Sequence, residues 1–139
     1  MKYNNDFRYD LKIGNEFENK LGDILNNRKI EVKTDFRALE TGNLFVEVSS
    51  RGKKSGIMKS ESDYYAFIIS MDYIIFVDKD VLKAITERFR AKRGVVRGGD
   101  KNTSEGVLVP IRSITSEVKS IKKEATKWKE EYIMLVTEF

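Results

Sequence analysis

KIEVKTDFRALETGNLFVEVSSRGKKSGI, residues 29–57, is the stretch on which the reading of this chain turns. Ile30 and Val32 alternate with Glu31 and Lys33, the period of two that puts apolar groups on one face of a β-strand and charges on the other. Asp35 continues the charged row. Thr41-Gly42-Asn43 is a turn signal. Leu44 to Ser50 then alternates again, with Leu44, Val46 and Val48 on one side and Phe45, Glu47 and Ser49 on the other. The simplest arrangement is a hairpin that brings Asp35, Glu47 and Lys33 together. Two carboxylates supply hard oxygen donors for a divalent cation, and a lysine beside them sets a positive charge near a phosphate. That is the minimal equipment for metal-dependent phosphodiester cleavage.

Outward from this stretch, Gly14 to Asn26 reads as a helix, because Phe17, Leu21, Ile24 and Leu25 recur at helical spacing. Glu16, Lys20 and Asp23 form a polar row beside that stripe. After the basic loop RGKKSG, Tyr64 to Ser70 and Tyr73 to Val77 are almost wholly apolar, as in strands buried on both faces. Asp80 to Lys92 is expected to be helical with Asp80 as its N-cap. A polar, glycine-rich loop, RGVVRGGDKNTSEG, follows. Val107 to Ile111 reads as an edge strand, since Pro110 fits poorly in a central one. Thr115 to Lys129 is an amphipathic helix pattern, with Val118, Ile121, Ala125 and Trp128 on one side. YIMLVTEF, at 132–139, is compatible with helix or strand. The expectation is one domain over residues 1–139, an α/β fold with one mixed sheet and helices on its faces.

Composition narrows the chemistry. The 139 residues contain no Cys and no His, so disulfides, zinc sites built on those residues, thiol nucleophiles and Ser-His-Asp triads are excluded. Carboxylates, Lys, Tyr, Ser and Thr remain, and oxygen ligands favour Mg2+ or Mn2+. No apolar run approaches the length of a membrane helix, and MKYNNDFRYD lacks a signal-peptide core, so no membrane partner and a cytoplasmic location are expected. The net charge of +4 is mild, yet its distribution is uneven. Arg88, Arg90, Lys92, Arg93 and Arg97 fall within ten residues with no acid among them, and Arg51, Lys53 and Lys54 directly follow the Glu47 strand. Such local positive surfaces attract phosphate backbones through counterion release. The alternative is a solvated basic face.

Taken together, Glu31-Val32-Lys33-Thr34-Asp35, Thr41-Gly42-Asn43, Glu47, Gly52-Lys53-Lys54-Ser55-Gly56-Ile57 and Asp63-Tyr64-Tyr65 resemble a phage-type branch of the PD-(D/E)xK nuclease superfamily. The resemblance covers roughly residues 14–65. It implies a restriction-endonuclease-like core, a mixed central β-sheet flanked by α-helices. It also implies a Mg2+- or Mn2+-dependent DNA endonuclease encoded by a virus or mobile element, working in the host cytoplasm on double-stranded or branched DNA, as a homodimer. Asp35 and Glu47 would ligate the metal with help from the Val48 carbonyl. Glu16 would reach in from the first helix. Arg51, Lys53, Lys54, Arg90, Lys92, Arg93 and Arg97 would contact DNA. The chain departs from the family pattern at one point: the lysine normally stands two positions after the second acid, where this chain has Ser49. Lys33 is the replacement that alternation puts beside Asp35, with Lys53 and Lys54 as less constrained choices. Glu31-Val32-Lys33 also matches (D/E)xK literally and ranks second. A Holliday-junction resolvase shares this chemistry. A non-catalytic nucleic-acid-binding protein on the same fold would account for Ser49.

Overall fold

The computed structural model describes residues 7–116. They divide into two units. The first carries α1 (Phe7–Asn27), which is longer than the apolar stripe alone suggests. Leu11, Phe17, Leu21 and Leu25 on this helix are exposed. Near its end, Asp23 accepts from Asn27 Nδ2 at 2.8 Å and from Arg28 Nε at 3.2 Å. These bonds, the Asn27 one foremost, hold the Asp23 carboxyl below its ordinary pKa.

The second unit holds every other described element: β1 (Ile30–Thr34), α2 (Arg37–Thr41), β2 (Asn43–Ser50), β3 (Lys53–Lys54), β4 (Tyr64–Ile68), β5 (Ile74–Asp78), α3 (Lys79–Arg93), β6 (Val96–Gly98), β7 (Ser104–Pro110) and α4 (Ser113–Ser116). It is mixed α/β, as the alternating patterns predict. It has two sheets, however, where the sequence reads as one. The first runs β1-β4-β5, with β1 parallel to β4 and β5 antiparallel to it; the second is antiparallel and runs β3-β2-β7-β6.

The expected β1–β2 hairpin does not form. α2 occupies the connection and ends at Gly42, whose φ of +75° turns the chain out of the helix into β2. β1 instead starts against β4. Lys29 N–H donates to the Asp63 carboxylate at 2.9 Å, and the Asp63 and Tyr64 N–H groups donate back to the Lys29 carbonyl at 2.8 and 3.1 Å.

Leu44, Val46 and Val48 of β2 are buried, as their alternation predicts. They join Val107 and Val109 of β7, Tyr65 and Phe67 of β4, and Leu82, Ile85 and Phe89 of α3 in one core. Each fully buried side chain of this size contributes about 1.5–3 kcal/mol of transfer free energy before entropy is counted. The core therefore binds both sheets and α3 into one unit. Thr86 is buried there too, and its hydroxyl is satisfied by the Leu82 carbonyl at 2.7 Å.

Three further expectations are corrected. β5 is not buried on both faces: Ile74 is 63% exposed and Phe76 37%. α3 is capped by Asp78, whose Oδ1 accepts from the N–H groups of Asp80 at 2.8 Å and Val81 at 3.0 Å. β7 lies inside its sheet, between β2 and β6. It tolerates Pro110 because β6 pairs only with residues 104–106, so the missing N–H falls where the strand has one neighbour. The glycine-rich stretch after α3 also contains a strand, β6. The amphipathic pattern from Thr115 to Lys129 lies, beyond Ser116, outside the described residues. No described helix is long and apolar enough to cross a membrane.

Candidate active site

β1 is unusual in which face it sets beside the buried residues of β4, although its charged side chains stay about half exposed. Register pairs Glu31 with Tyr65 and Lys33 with Phe67, so the two charges share a face with two buried aromatic residues. Val32, on the opposite face, is 60% exposed. The hydrophobic pattern alone would favour the reverse orientation, and local rules of this kind are broken most often where chemistry requires it.

Asp35 follows β1 and joins three segments. Its N–H donates to the Ile68 carbonyl at 2.9 Å, at the end of β4. Its Oδ1 accepts from Ala38 N–H at 3.2 Å, in the first turn of α2. Its Oδ2 accepts from Phe45 N–H at 2.9 Å, on β2. Asp35 is thus an anchor as well as an acid.

Glu47 lies at the centre of β2. Ser55 Oγ donates to its Oε2 at 3.0 Å, and Ser55 N–H donates to the Val48 carbonyl at 3.1 Å. Gly56 lets this loop approach. Its φ is +55°, and a Cβ there would collide with the Glu47 carbonyl oxygen, so the glycine of Ser55-Gly56-Ile57 is required by space as well as by backbone angle.

Lys33, Asp35 and Glu47 line one cavity of about 560 Å3 together with Arg37, Asn43, Phe45 and Arg97. A second cavity of about 500 Å3 shares Lys33, Glu47, Gly56 and Tyr65 with the first and adds Glu31, Ser55 and Lys59. The convergence expected from a hairpin therefore arises without one: Lys33 and Asp35 come from the β1 end, Glu47 from the second sheet.

Lys33 Nζ lies 2.9 Å from Glu31 Oε1. That bond holds the Lys33 pKa above its ordinary value, with Tyr65 and Glu47 adding smaller contributions and partial burial opposing them. Lys33 is accordingly a cation at neutral pH.

The departure at Ser49 has a structural counterpart. β2 is bulged between Glu47 and Ser49, so Glu47 pairs with Gly106 while Ser49 pairs with Glu105. Successive residues of β7 face opposite sides, so Ser49 is turned away from the Glu47 face. A lysine at position 49 would not share the cavity. Lys54, which pairs with Ser49, and Lys53 do not line it either.

The remaining expected site residues divide. Arg97 lines the cavity; Arg51, Lys53, Lys54, Arg90, Lys92 and Arg93 do not, and are exposed. Lys92 Nζ and Arg93 Cζ sit 5.5 and 5.1 Å from the Phe89 ring centroid, which fixes these two cations at the end of α3. Val48 is buried, is absent from the cavity lining, and its carbonyl already accepts from Ser55. Glu16 is exposed on α1, in the other unit. Ser55 and Tyr65 are the neighbours that strand periodicity did not assign to the site, whereas alternation already sets Glu31 on the face of Lys33 and Phe45 on the face of Glu47. The signal for the first two lies in register and in loop approach.

The donor set suits a hard divalent cation in kind. Among the described residues, no group of three or more acids converges as a ready-made cage. Mg2+ does not require one, since it commonly keeps several waters and takes one or two carboxylates plus substrate phosphate. Asp35 and Glu47 retain acceptor capacity beyond their protein hydrogen bonds, because a carboxylate offers about four lone-pair sites.

Comparison with protein-family models, with curated proteins and with solved structures returns no match to this chain.

Proposed function

We propose that this chain is a metal-dependent DNA endonuclease on a restriction-endonuclease-like core, of the PD-(D/E)xK type, with its lysine displaced to Lys33. The observation that carries the reading is the convergence of Lys33, Asp35 and Glu47 on one cavity. The placement of Glu31 and Lys33 on the face of Tyr65 and Phe67 adds to it.

Asp35 and Glu47 would hold Mg2+ or Mn2+. Such an ion, when bound, would supply Lewis-acid chemistry toward a phosphate oxygen and an attacking water. The Ser55 hydroxyl fixes the Glu47 carboxylate, and the backbone donors of Ala38 and Phe45 fix Asp35. Lys33 offers a fixed positive charge to the phosphate oxygens, where negative charge builds in the transition state. Being protonated, it acts electrostatically and does not take the proton from water. The new bond runs from the water oxygen to phosphorus and the bond to the leaving sugar oxygen breaks, the water's proton passing to solvent and the leaving oxygen taking one up from solvent. The exposed cations Arg90, Lys92 and Arg93 would track the DNA backbone, which positions a duplex without reading its sequence. A homodimer acting in the cytoplasm, the host's if the protein is viral, would supply one site per strand.

The test is cleavage of supercoiled plasmid and of a four-way junction with Mg2+, Mn2+ or EDTA, beside Glu47→Gln and Lys33→Ala. Glu47→Gln carries more weight than Asp35→Ala, because Asp35 also anchors three segments and its loss would confuse folding with chemistry. Cutting is expected with either metal and not in EDTA. It should be lost in Glu47→Gln and fall by roughly 10²-fold in Lys33→Ala. DNA retardation in a gel should persist or strengthen when the acid is removed. Preference for the junction would select a resolvase. Absence of cutting on a mixed DNA library, with retardation intact, would replace the enzyme by a non-catalytic binding protein, a reading favoured by the partnering of Lys33 with Glu31.

A further inference from the structure

We infer that the cavity beside Lys33, Asp35 and Glu47 is a nucleobase site, in which an unpaired base of the bound strand stacks on Phe45 while its phosphate lies against the charged groups. The nuclease reading supplies the name of the ligand.

Two glycines make room for the Phe45 ring. Gly106 on β7 and Gly98 at the end of β6 lie beneath the Phe45 ring. A Cβ on Gly106 would collide with ring atom Cζ and stand 2.6 and 2.8 Å from Cε2 and Cε1. Three nearly equal distances put that point over the ring's face, since approach along the ring plane would leave both ε carbons much farther than Cζ. A Cβ on Gly98 would sit 2.8 and 2.9 Å from Cε2 and Cζ. Glycine at both positions thus lets the ring lie over the sheet, and its other face is turned away from these two strands. Phe45 is only half-buried and lines the cavity. A half-exposed aromatic plate beside a phosphate site is the arrangement on which bases stack, irrespective of sequence.

The volume agrees. About 560 Å3 lies within the range of roughly 300–1,000 Å3 for small-molecule sites, so a base with its sugar fits. A base held inside a duplex cannot enter, so the ligand is single-stranded or extruded. Asn43 lines the same cavity; its Nδ2 donates one N–H to the Thr41 carbonyl at 3.3 Å, which leaves its second N–H and its Oδ1 for a base edge. Arg37 and Arg97 also line it, as cations for the flanking phosphates.

The experiment uses the full-length protein in EDTA, where no metal-dependent cutting intervenes. The probe is a short single-stranded DNA carrying one 2-aminopurine, whose fluorescence is quenched by stacking. Quenching on titration is expected. Phe45→Leu should weaken binding by about 5- to 150-fold, the range for loss of one aromatic stacking partner, and Phe45→Tyr should restore it. Phe45→Leu could act by disturbing the fold, so a second comparison leaves the protein unchanged. Replacing the 2-aminopurine with an abasic sugar should cost the wild type a similar factor and cost Phe45→Leu little. Equal affinity of the wild type for abasic and base-bearing strands would overturn the base site. These readouts need no cleavage, so failure of the nuclease reading and failure of the base site are told apart: metal-dependent cutting without base discrimination removes only the latter, and base discrimination without cutting removes only the former.

Discussion

Glu31 decides what Lys33 can do. Their 2.9 Å ion pair is the first cause of the raised Lys33 pKa. A cation whose folded pKa is raised gains stability from its partner at all pH values below the unfolded lysine value of about 10.4, and loses it as pH climbs through the folded value. Both side chains are about half exposed, so solvent screening keeps the pair's contribution to stability small. The consequence is clearer in activity. Where the alkaline limb of the cleavage profile reports loss of the Lys33 charge, Glu31→Gln should shift that limb to lower pH, because the largest raising influence is gone. A pH–rate profile in saturating Mg2+ checks this, and a limb that stays in place would remove Lys33 as the titrating group. At this scale much of the site is legible in the chain, since Lys33 and Asp35 share a strand face by alternation alone. Phe45 shares the face of Glu47 by the same alternation, but Tyr65 is not legible in that way. An aromatic residue in a strand pattern reads as core, and only its cross-strand partners reveal that it borders a cavity.

The elements show where local signals mislead. The sequence pattern reads Asp80 as the cap of α3, but Asp80 lies inside the first turn of the helix. The bonds to Asp80 N–H and Val81 N–H select Asp78. Asp78→Ala should therefore cost roughly 0.5–2 kcal/mol, read as a lower thermal or urea midpoint. Asp80→Ala should cost less than Asp78→Ala; the reverse order would refute the cap assignment. β2 teaches a related lesson. Its burial alternation is as expected, yet the bulge after Glu47 reverses the facing of Ser49, and no composition signal marks it. α2 is also hard to read, because a five-residue helix is too short to show a period. That short helix lies between β1 and β2, which belong to different sheets.

For the whole molecule, the arrangement of cations matters more than their sum. Lys92 and Arg93 are held on Phe89 at the end of α3, and Arg97 lines the cavity. If the exposed pair tracks DNA phosphates, Lys92→Ala and Arg93→Ala should each lower the slope of log affinity against log salt by about 0.9 in magnitude on duplex DNA. Arg97→Ala should lower that slope and the cleavage rate as well. Equilibrium binding over a salt series separates these cases, and an unchanged slope in the α3 variants would make that face a solvated surface.

By itself, the sequence determined the chemistry left open to this chain, with oxygen ligands and lysine in place of thiol and imidazole. It also determined the strand periodicity that aligns Lys33 with Asp35 and buries Leu44, Val46 and Val48, because side-chain facing in a strand follows from covalent geometry. Only the tertiary structure decided which strands pair, that Glu31 and Lys33 share a face with Tyr65 and Phe67, and that Glu47 lines the same cavities from a second sheet. Those outcomes depend on contacts between residues far apart in the chain, where the burial of one shared core outweighs the preference of any single strand.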